Sequence, residues 1–255
     1  MKRPLIVANW KAYITSFEEA AAVVRVFTRK AKDAPADFVI CPPTPFLSAL
    51  GGYLKGKSVA LGAQHVSNFV DEKRTGENTA RMLYSTGARF VIVGHSERRA
   101  QGETNADISQ AVERALQAKL VPIVCVGESE RNASGEHFAK IESQLRESLP
   151  KLVPQDAKKI TVAYEPLWAI GKTAADAITP DVLEETVIFI RKVLTDVFGR
   201  ATAVSIRILY GGSVEKENAQ PLMLSGVAGF LVGHASIEPK SLLDIGQAAA
   251  TLRKK

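Results

Sequence analysis

Short, nearly unbroken apolar runs recur along the chain, each separated from the next by enough residues for at least one helix. They fall at 5–8 (LIVA), 38–41 (FVIC), 59–63 (VALGA), 90–93 (FVIV), 121–126 (VPIVCV), 161–164 (TVAY), 206–210 (IRILY) and 229–232 (GFLV). A strand with one wet face alternates apolar and polar side chains. A run that is apolar at nearly every position is covered on both faces, as in a parallel sheet flanked by helices. Eight such runs in 255 residues, with helical material after each, have the arithmetic of a (β/α)8 barrel. A doubly wound open sheet usually has fewer strands, and no GxGxxG turn follows the first run.

The intervening segments carry helix signals. Ser16 with Glu19 and Thr104 with Asp107 have capping-box spacing, and Thr44-Pro45 and Thr179-Pro180 place a hydroxyl cap before a first-turn proline. Ala20, Ala21, Val24 and Phe27 recur at helical spacing, as do Val182, Val187, Ile190 and Leu194, so each segment is expected to lay one face on the sheet. No Pro-, Gly- or Ser-rich linker divides the chain, and residues 1–255 are expected to form one barrel domain.

Composition narrows the function classes. With 46% hydrophobic and 24% charged residues, the chain is too apolar for intrinsic disorder and too polar for a membrane bundle. No run approaches the 18 apolar residues of a membrane helix. Cys41 and Cys125 sit inside apolar runs and are expected to be buried free thiols in a reducing, cytoplasmic setting. The net charge of +6 is not gathered into a basic stripe, so neither nucleic acid nor membrane is an expected partner. A mild positive field favours small anionic substrates.

In such barrels the chemistry sits just after the strands, on one rim. That rim collects Asn9 and Lys11 after the first strand, Gln64 and His65 after the third, and Gly94 to Arg99 after the fourth. Glu128 follows the fifth strand and Glu165 the sixth, with YGGS (210–213) and VGHAS (232–236) after the last two. Late turns rich in glycine are where these barrels commonly hold a phosphate through backbone N–H groups. Taken singly, Glu165 is as consistent with an arginine partner, His95 with a satisfied interior histidine, and Lys11 with neutralising Glu97. Together beside a phosphate site they fit a base, an electrophile and a fixed positive charge around a carbonyl carbon. The four histidines fall in no metal-binding pattern, and no metal or cofactor is expected.

The stretches ANWK (8–11), GHSERR (94–99), AYEPLWAIG (163–171) and LYGGS (209–213) resemble the triosephosphate isomerases, a TIM-barrel family, and the likeness runs essentially end to end. The resemblance implies interconversion of glycerone phosphate and D-glyceraldehyde 3-phosphate through an enediolate. The roles of that family's glutamate and neutral histidine are an established case. Carried over, Glu165 shuttles the proton and His95, kept neutral by a helix N-terminus, polarises the carbonyl. Lys11 and Asn9 meet the enediolate oxygens, with Glu97 holding Lys11. Gly171, Ser213, Gly233 and His234 offer backbone N–H groups to the phosphate, under a lid from Pro166 to about Ala174. A homodimer is also implied: Thr75 of one subunit reaches the partner's site and braces Asn9 and Lys11.

The chain departs from the family pattern in four places. The tip of the third loop reads Glu72, Lys73, Arg74 where the family has glycine, alanine and phenylalanine, so Arg74 is expected to pack its stem and find a carboxylate across the dimer contact. His65 replaces an asparagine. The connection from Lys172 to Ile178 is slightly longer than usual at the lid's second hinge. His234 stands where the family mostly has glycine, its imidazole either near the phosphate or turned away. Glu128 is expected to be scaffold paired with an arginine, and Trp10 and Trp168 to be packing residues. Two other readings remain open at this level: the same chemistry on a four-carbon sugar phosphate, and a barrel that binds sugar phosphates without turnover.

Overall fold

A computed structural model describes residues 3–69, 73–132, 134–171 and 178–251. The strands are β1 (Leu5–Asn9), β2 (Asp37–Cys41), β3 (Val59–Ala63), β4 (Phe90–Val93), β5 (Val121–Val126), β6 (Thr161–Tyr164), β7 (Arg207–Tyr210) and β8 (Gly229–Val232). Each pairs in parallel with its neighbours in chain order, and β8 returns to β1, closing the barrel. Each apolar run of the sequence has become a strand, with one correction: Ile206 lies before β7, as the C-cap of the short helix Arg200–Ser205. Closure depends on Gly229, whose φ is +144° and where a β-carbon would lie 2.0 Å from the Leu5 carbonyl oxygen.

The unbroken apolar character of the strands has a direct explanation in the two cores. Leu5, Val7, Val39, Ile92, Ile123, Ala163, Leu209 and Leu231 point into the barrel, with Cys41 and Cys125 among them. The alternate positions, such as Ile6, Ala8, Phe38, Ile40, Val91 and Val93, point out and meet the helices. Both thiols are buried and free, and burial pushes their ionisation well up. On helix Phe17–Ala31 the buried stripe is Ala20, Val24, Phe27 and Ala31, and Phe27 meets Phe38 of β2 edge-on at 5.0 Å. Such an aromatic pair adds about 1 kcal/mol beyond area burial. Ala21 is only half-buried, one position off the stripe; on helix Pro180–Phe198 the same holds for Val182, while Val187, Ile190 and Leu194 are buried.

The caps divide. Thr104 and Asp107 form the full reciprocal capping box of helix Asn105–Gln117. Ser16 makes only its half, accepting from the Glu19 N–H. Thr44 caps nothing: it lies inside a 3-10 turn (Thr44–Phe46) whose N-cap is Pro43, and helix Leu47–Leu54 begins only after it. Pro45 disfavours α geometry in the residue before it and so tightens this entry into a short turn. Thr179 is at the N-cap of Pro180–Phe198 but its hydroxyl makes no capping bond. Among the described residues, no helix is long and apolar enough to cross a membrane.

Candidate active site

The C-terminal ends of β1, β4, β6, β7 and β8 surround a cavity of about 360 Å³. Asn9, Lys11, His95, Glu165, Gly171, Ser213, Gly233 and His234 all line it. Glu97 does not; it stands behind Lys11, with the ammonium 2.5 Å from its carboxylate. Lys11 has φ +44°, an uncommon conformation for a residue with a β-carbon. Two contacts secure it: the Lys11 N–H donates to Asn9 Oδ1 (3.2 Å), and Gln64 Nε2 donates to the Lys11 carbonyl (2.8 Å).

His95 caps the short helix Ser96–Ala100, and its Nδ1 accepts the Glu97 N–H at 3.2 Å. The same nitrogen is 3.7 Å from a Glu97 carboxylate oxygen, too far for a hydrogen bond. Since Nδ1 uses its lone pair, the neutral ring carries its proton on Nε2, which faces the cavity. There Nε2 meets Glu165 Oε1 at 3.2 Å. The other carboxylate oxygen, Oε2, accepts the Ser96 N–H at 3.0 Å. Glu165 is 2% exposed and His95 7%, so base and donor face each other out of water. The Glu165 backbone extends the β6 ladder by one bond, to the Val126 carbonyl (2.8 Å). Glycines crowd it on two sides: a β-carbon at Gly127 would lie 1.9 Å from the Glu165 carbonyl oxygen, and one at Gly211 2.9 Å from Glu165 Cγ.

Beneath the glutamate, Glu128 accepts from Tyr164 Oη (2.8 Å) and Trp168 Nε1 (2.9 Å), with Arg131 at 3.4 Å. It is a scaffold carboxylate with an arginine partner, and Trp168 is tied to it by a polar bond as well as by packing. Burial, and then the Glu128 carboxylate, push the Tyr164 phenol well up. Trp10 is fully buried and donates to the Ser236 carbonyl (3.2 Å), which fastens β1 to the turn after β8.

The opposite wall is mostly backbone. Gly211 to Ser213 and Gly233 border the cavity, and His234 opens the 3-10 turn His234–Ser236. Ser213 Oγ donates to the Ala169 carbonyl at 3.2 Å, joining the turn after β7 to the one after β6. Gly171, at φ +73°, reaches the cavity from within the expected lid; residues 172–177, most of its second hinge, lie outside the described residues. Among the described residues, no three His, Cys, Asp or Glu side chains are grouped as metal ligands.

Ser96, Gln64 and Tyr13 were not singled out as working residues by the sequence. Ser96 acts through a backbone N–H, which no residue type encodes, although it lies inside GHSERR. Tyr13 lines the mouth of the cavity. After β3, His65 lies between Arg98 (3.3 Å) and Glu103 (3.6 Å). A guanidinium only donates, so His65 Nε2 accepts and Nδ1–H faces Glu103. Burial and then Arg98 hold its ionisation down at about 4, against a smaller opposing pull from Glu77. Arg74 lies over the ring of Phe69, 4.0 Å from its centre, and Thr75 is exposed in the same segment. Glu72 lies outside the described residues.

Comparison with known proteins agrees with this geometry. Residues 4–249 match the triosephosphate isomerase family. The triosephosphate isomerase of Carboxydothermus hydrogenoformans is 42% identical over 251 residues, covering 96% of this chain and 98% of that protein. That of Symbiobacterium thermophilum is 38% identical with both chains fully covered. The crystal structure of triosephosphate isomerase from Bartonella henselae superposes with a TM-score of 0.82 at 35% identity, over 99% of this chain and 100% of that one. With a likeness that spans the whole barrel and a rim furnished as described, the chain belongs to the triosephosphate isomerase family.

Proposed function

We propose that Glu165, His95 and Lys11 carry the reaction of this isomerase, the interconversion of glycerone phosphate and D-glyceraldehyde 3-phosphate. The observation that supports these roles is the buried contact between Glu165 Oε1 and His95 Nε2, with the ring's other nitrogen already occupied as an acceptor. A substrate carbonyl in the cavity takes the His95 N–H, and the carboxylate gives up that contact. Glu165 then removes a proton from the carbon beside the carbonyl. The negative charge that moves onto oxygen meets the Nε2–H and the Lys11 ammonium, with Asn9 adjoining. The hydroxyl proton then passes to the oxygen that took up the charge, and the second oxygen becomes the new carbonyl. Returning the carbon-bound proton to the neighbouring carbon completes the exchange of aldose for ketose. Excluding water from a site this buried strengthens each of these interactions.

The phosphate is assigned to the backbone N–H groups of Gly171, Ser213, Gly233 and His234. Among these four only Gly171 has positive φ, so the His234 N–H is held in an ordinary backbone conformation. We further read the chain as one barrel domain, cytoplasmic in keeping with its two buried free thiols, and as a homodimer with Thr75 and Arg74 in the contact. The exposure of residues 73–76 in the single chain supports the dimer. Light scattering on the purified protein at micromolar concentration is expected to give twice the chain mass; a monomer mass would remove Thr75 and Arg74 from the site.

The activity is tested by supplying D-glyceraldehyde 3-phosphate with an NADH-consuming reductase specific for glycerone phosphate. Rapid NADH loss that needs the protein is the expected result. A blank rate would contradict the assignment and direct the search to four-carbon sugar phosphates.

A further inference from the structure

The mechanism leaves the side chain of His234 unused. Its ring is exposed, lines the substrate cavity beside Gly233 and Ser213, and meets Tyr13 edge-on at 5.3 Å. Tyr13 lines the same cavity, so the contact holds the imidazole over the mouth. No hydrogen bond to a described residue occupies its ring nitrogens. His234 also borders a second cavity, of about 630 Å³, whose walls carry Glu19, Glu215, Glu217, Glu238 and Asp244 against Lys216. Glu215 borders both cavities, but the second sets five carboxylates against Lys216, whereas the substrate cavity sets Glu165 and Glu215 beside Lys11. An anion therefore meets this imidazole more favourably from the substrate side.

Resting on the assignment of the phosphate to the turns after β7 and β8, we propose that the His234 imidazole donates a hydrogen bond to the substrate phosphate, adding a side-chain donor to a site otherwise made of backbone. An imidazole carries at least one N–H in either protonation state, and donors to charged oxygens bind more strongly than neutral pairs. The chain then holds the phosphorylated substrate more tightly than its backbone donors alone would, and gains nothing on a substrate without phosphate.

His234→Phe keeps a ring against Tyr13 and removes the donor; His234→Gly removes both. Each is expected to raise the KM for D-glyceraldehyde 3-phosphate about fivefold, a solvent-weakened share of a charge-assisted bond, with kcat within about twofold. Activity on unphosphorylated D-glyceraldehyde should be unchanged, and calorimetry should show weaker binding of inorganic phosphate to both variants. A His234→Phe variant with wild-type KM and phosphate affinity would overturn the proposal. So would equal losses on both substrates, which mark a structural role. If wild-type protein fails to turn over the triose phosphate while the variants still lose phosphate affinity, the donor stands and the isomerase reading falls.

Discussion

The two walls of the cavity are built on opposite terms. The wall from β1, β4 and β6 presents side chains that are buried or half-buried, hydrogen-bonded to their neighbours, and held in uncommon geometry where needed: Lys11 at positive φ, His95 with one nitrogen committed, Glu165 against Ser96. The wall from β7 and β8 presents turns, with Gly211, Gly212 and Gly233 bordering the cavity and an exposed His234. Proton transfer needs particular functional groups within hydrogen-bond reach, which only braced side chains supply. Anchoring an anion needs several N–H groups close together, and turns without β-carbons supply those. Damage to the first wall should therefore appear in kcat, and damage to the second in KM.

The largest effect expected is at the first wall. Glu165→Gln keeps the shape and removes the base, and should lower kcat by about 10³-fold or more with little change in KM. A KM-dominated loss would break the contrast between the walls. Gly211→Ala sits where the walls meet: its methyl group would press on Glu165 Cγ at 2.9 Å. A displacement of that kind should cost about 10- to 100-fold in kcat, measured beside a thermal melt that confirms folding. On the second wall, Ser213→Ala loses the hydroxyl bond to the Ala169 carbonyl and keeps the backbone N–H. We expect a KM increase of about threefold with kcat nearly intact.

The smallest effect lies outside both walls, at His65. Its folded ionisation, at about 4, is below that of an ordinary histidine, so the unfolded chain binds more protons between about pH 6.5 and pH 4. Stability from this residue is complete above that window and is lost as the pH falls through it. Screening at a partly exposed site reduces the loss to about 1 kcal/mol. Thermal melts from pH 7 to pH 4 should fall less steeply for His65→Asn, with kcat at pH 7 unchanged.

The strands were legible because burial on both faces leaves an unbroken apolar run, and the places of Glu165, His95 and Lys11 on the cavity rim because they follow such runs; the roles proposed for them came from the family resemblance. Thr104 and Asp107 announced their cap correctly since both partners lie within one turn. Thr44 did not, because the same Thr-Pro pair serves equally well inside a short turn that starts one residue earlier. Ser96 contributes a backbone donor, and Gln64 braces Lys11 across 53 positions of sequence, so neither role leaves a local trace. The pairing of Glu97 with Lys11 was readable, but its place behind Lys11 and outside the cavity depends on how β1 and β4 lie across the barrel. Thr75 and Arg74 answer to a second subunit, which one chain's fold does not display.

The central claim is that Glu165 moves a proton between two adjacent carbons. It is tested most directly by running the reaction in deuterated water and following deuterium at the carbon beside the product carbonyl by proton NMR, for wild type and Glu165→Gln. The account predicts rapid turnover with solvent deuterium entering at that carbon in the wild type, and both turnover and exchange slower by about 10³-fold in the variant. Turnover and exchange at wild-type rates in Glu165→Gln would contradict it.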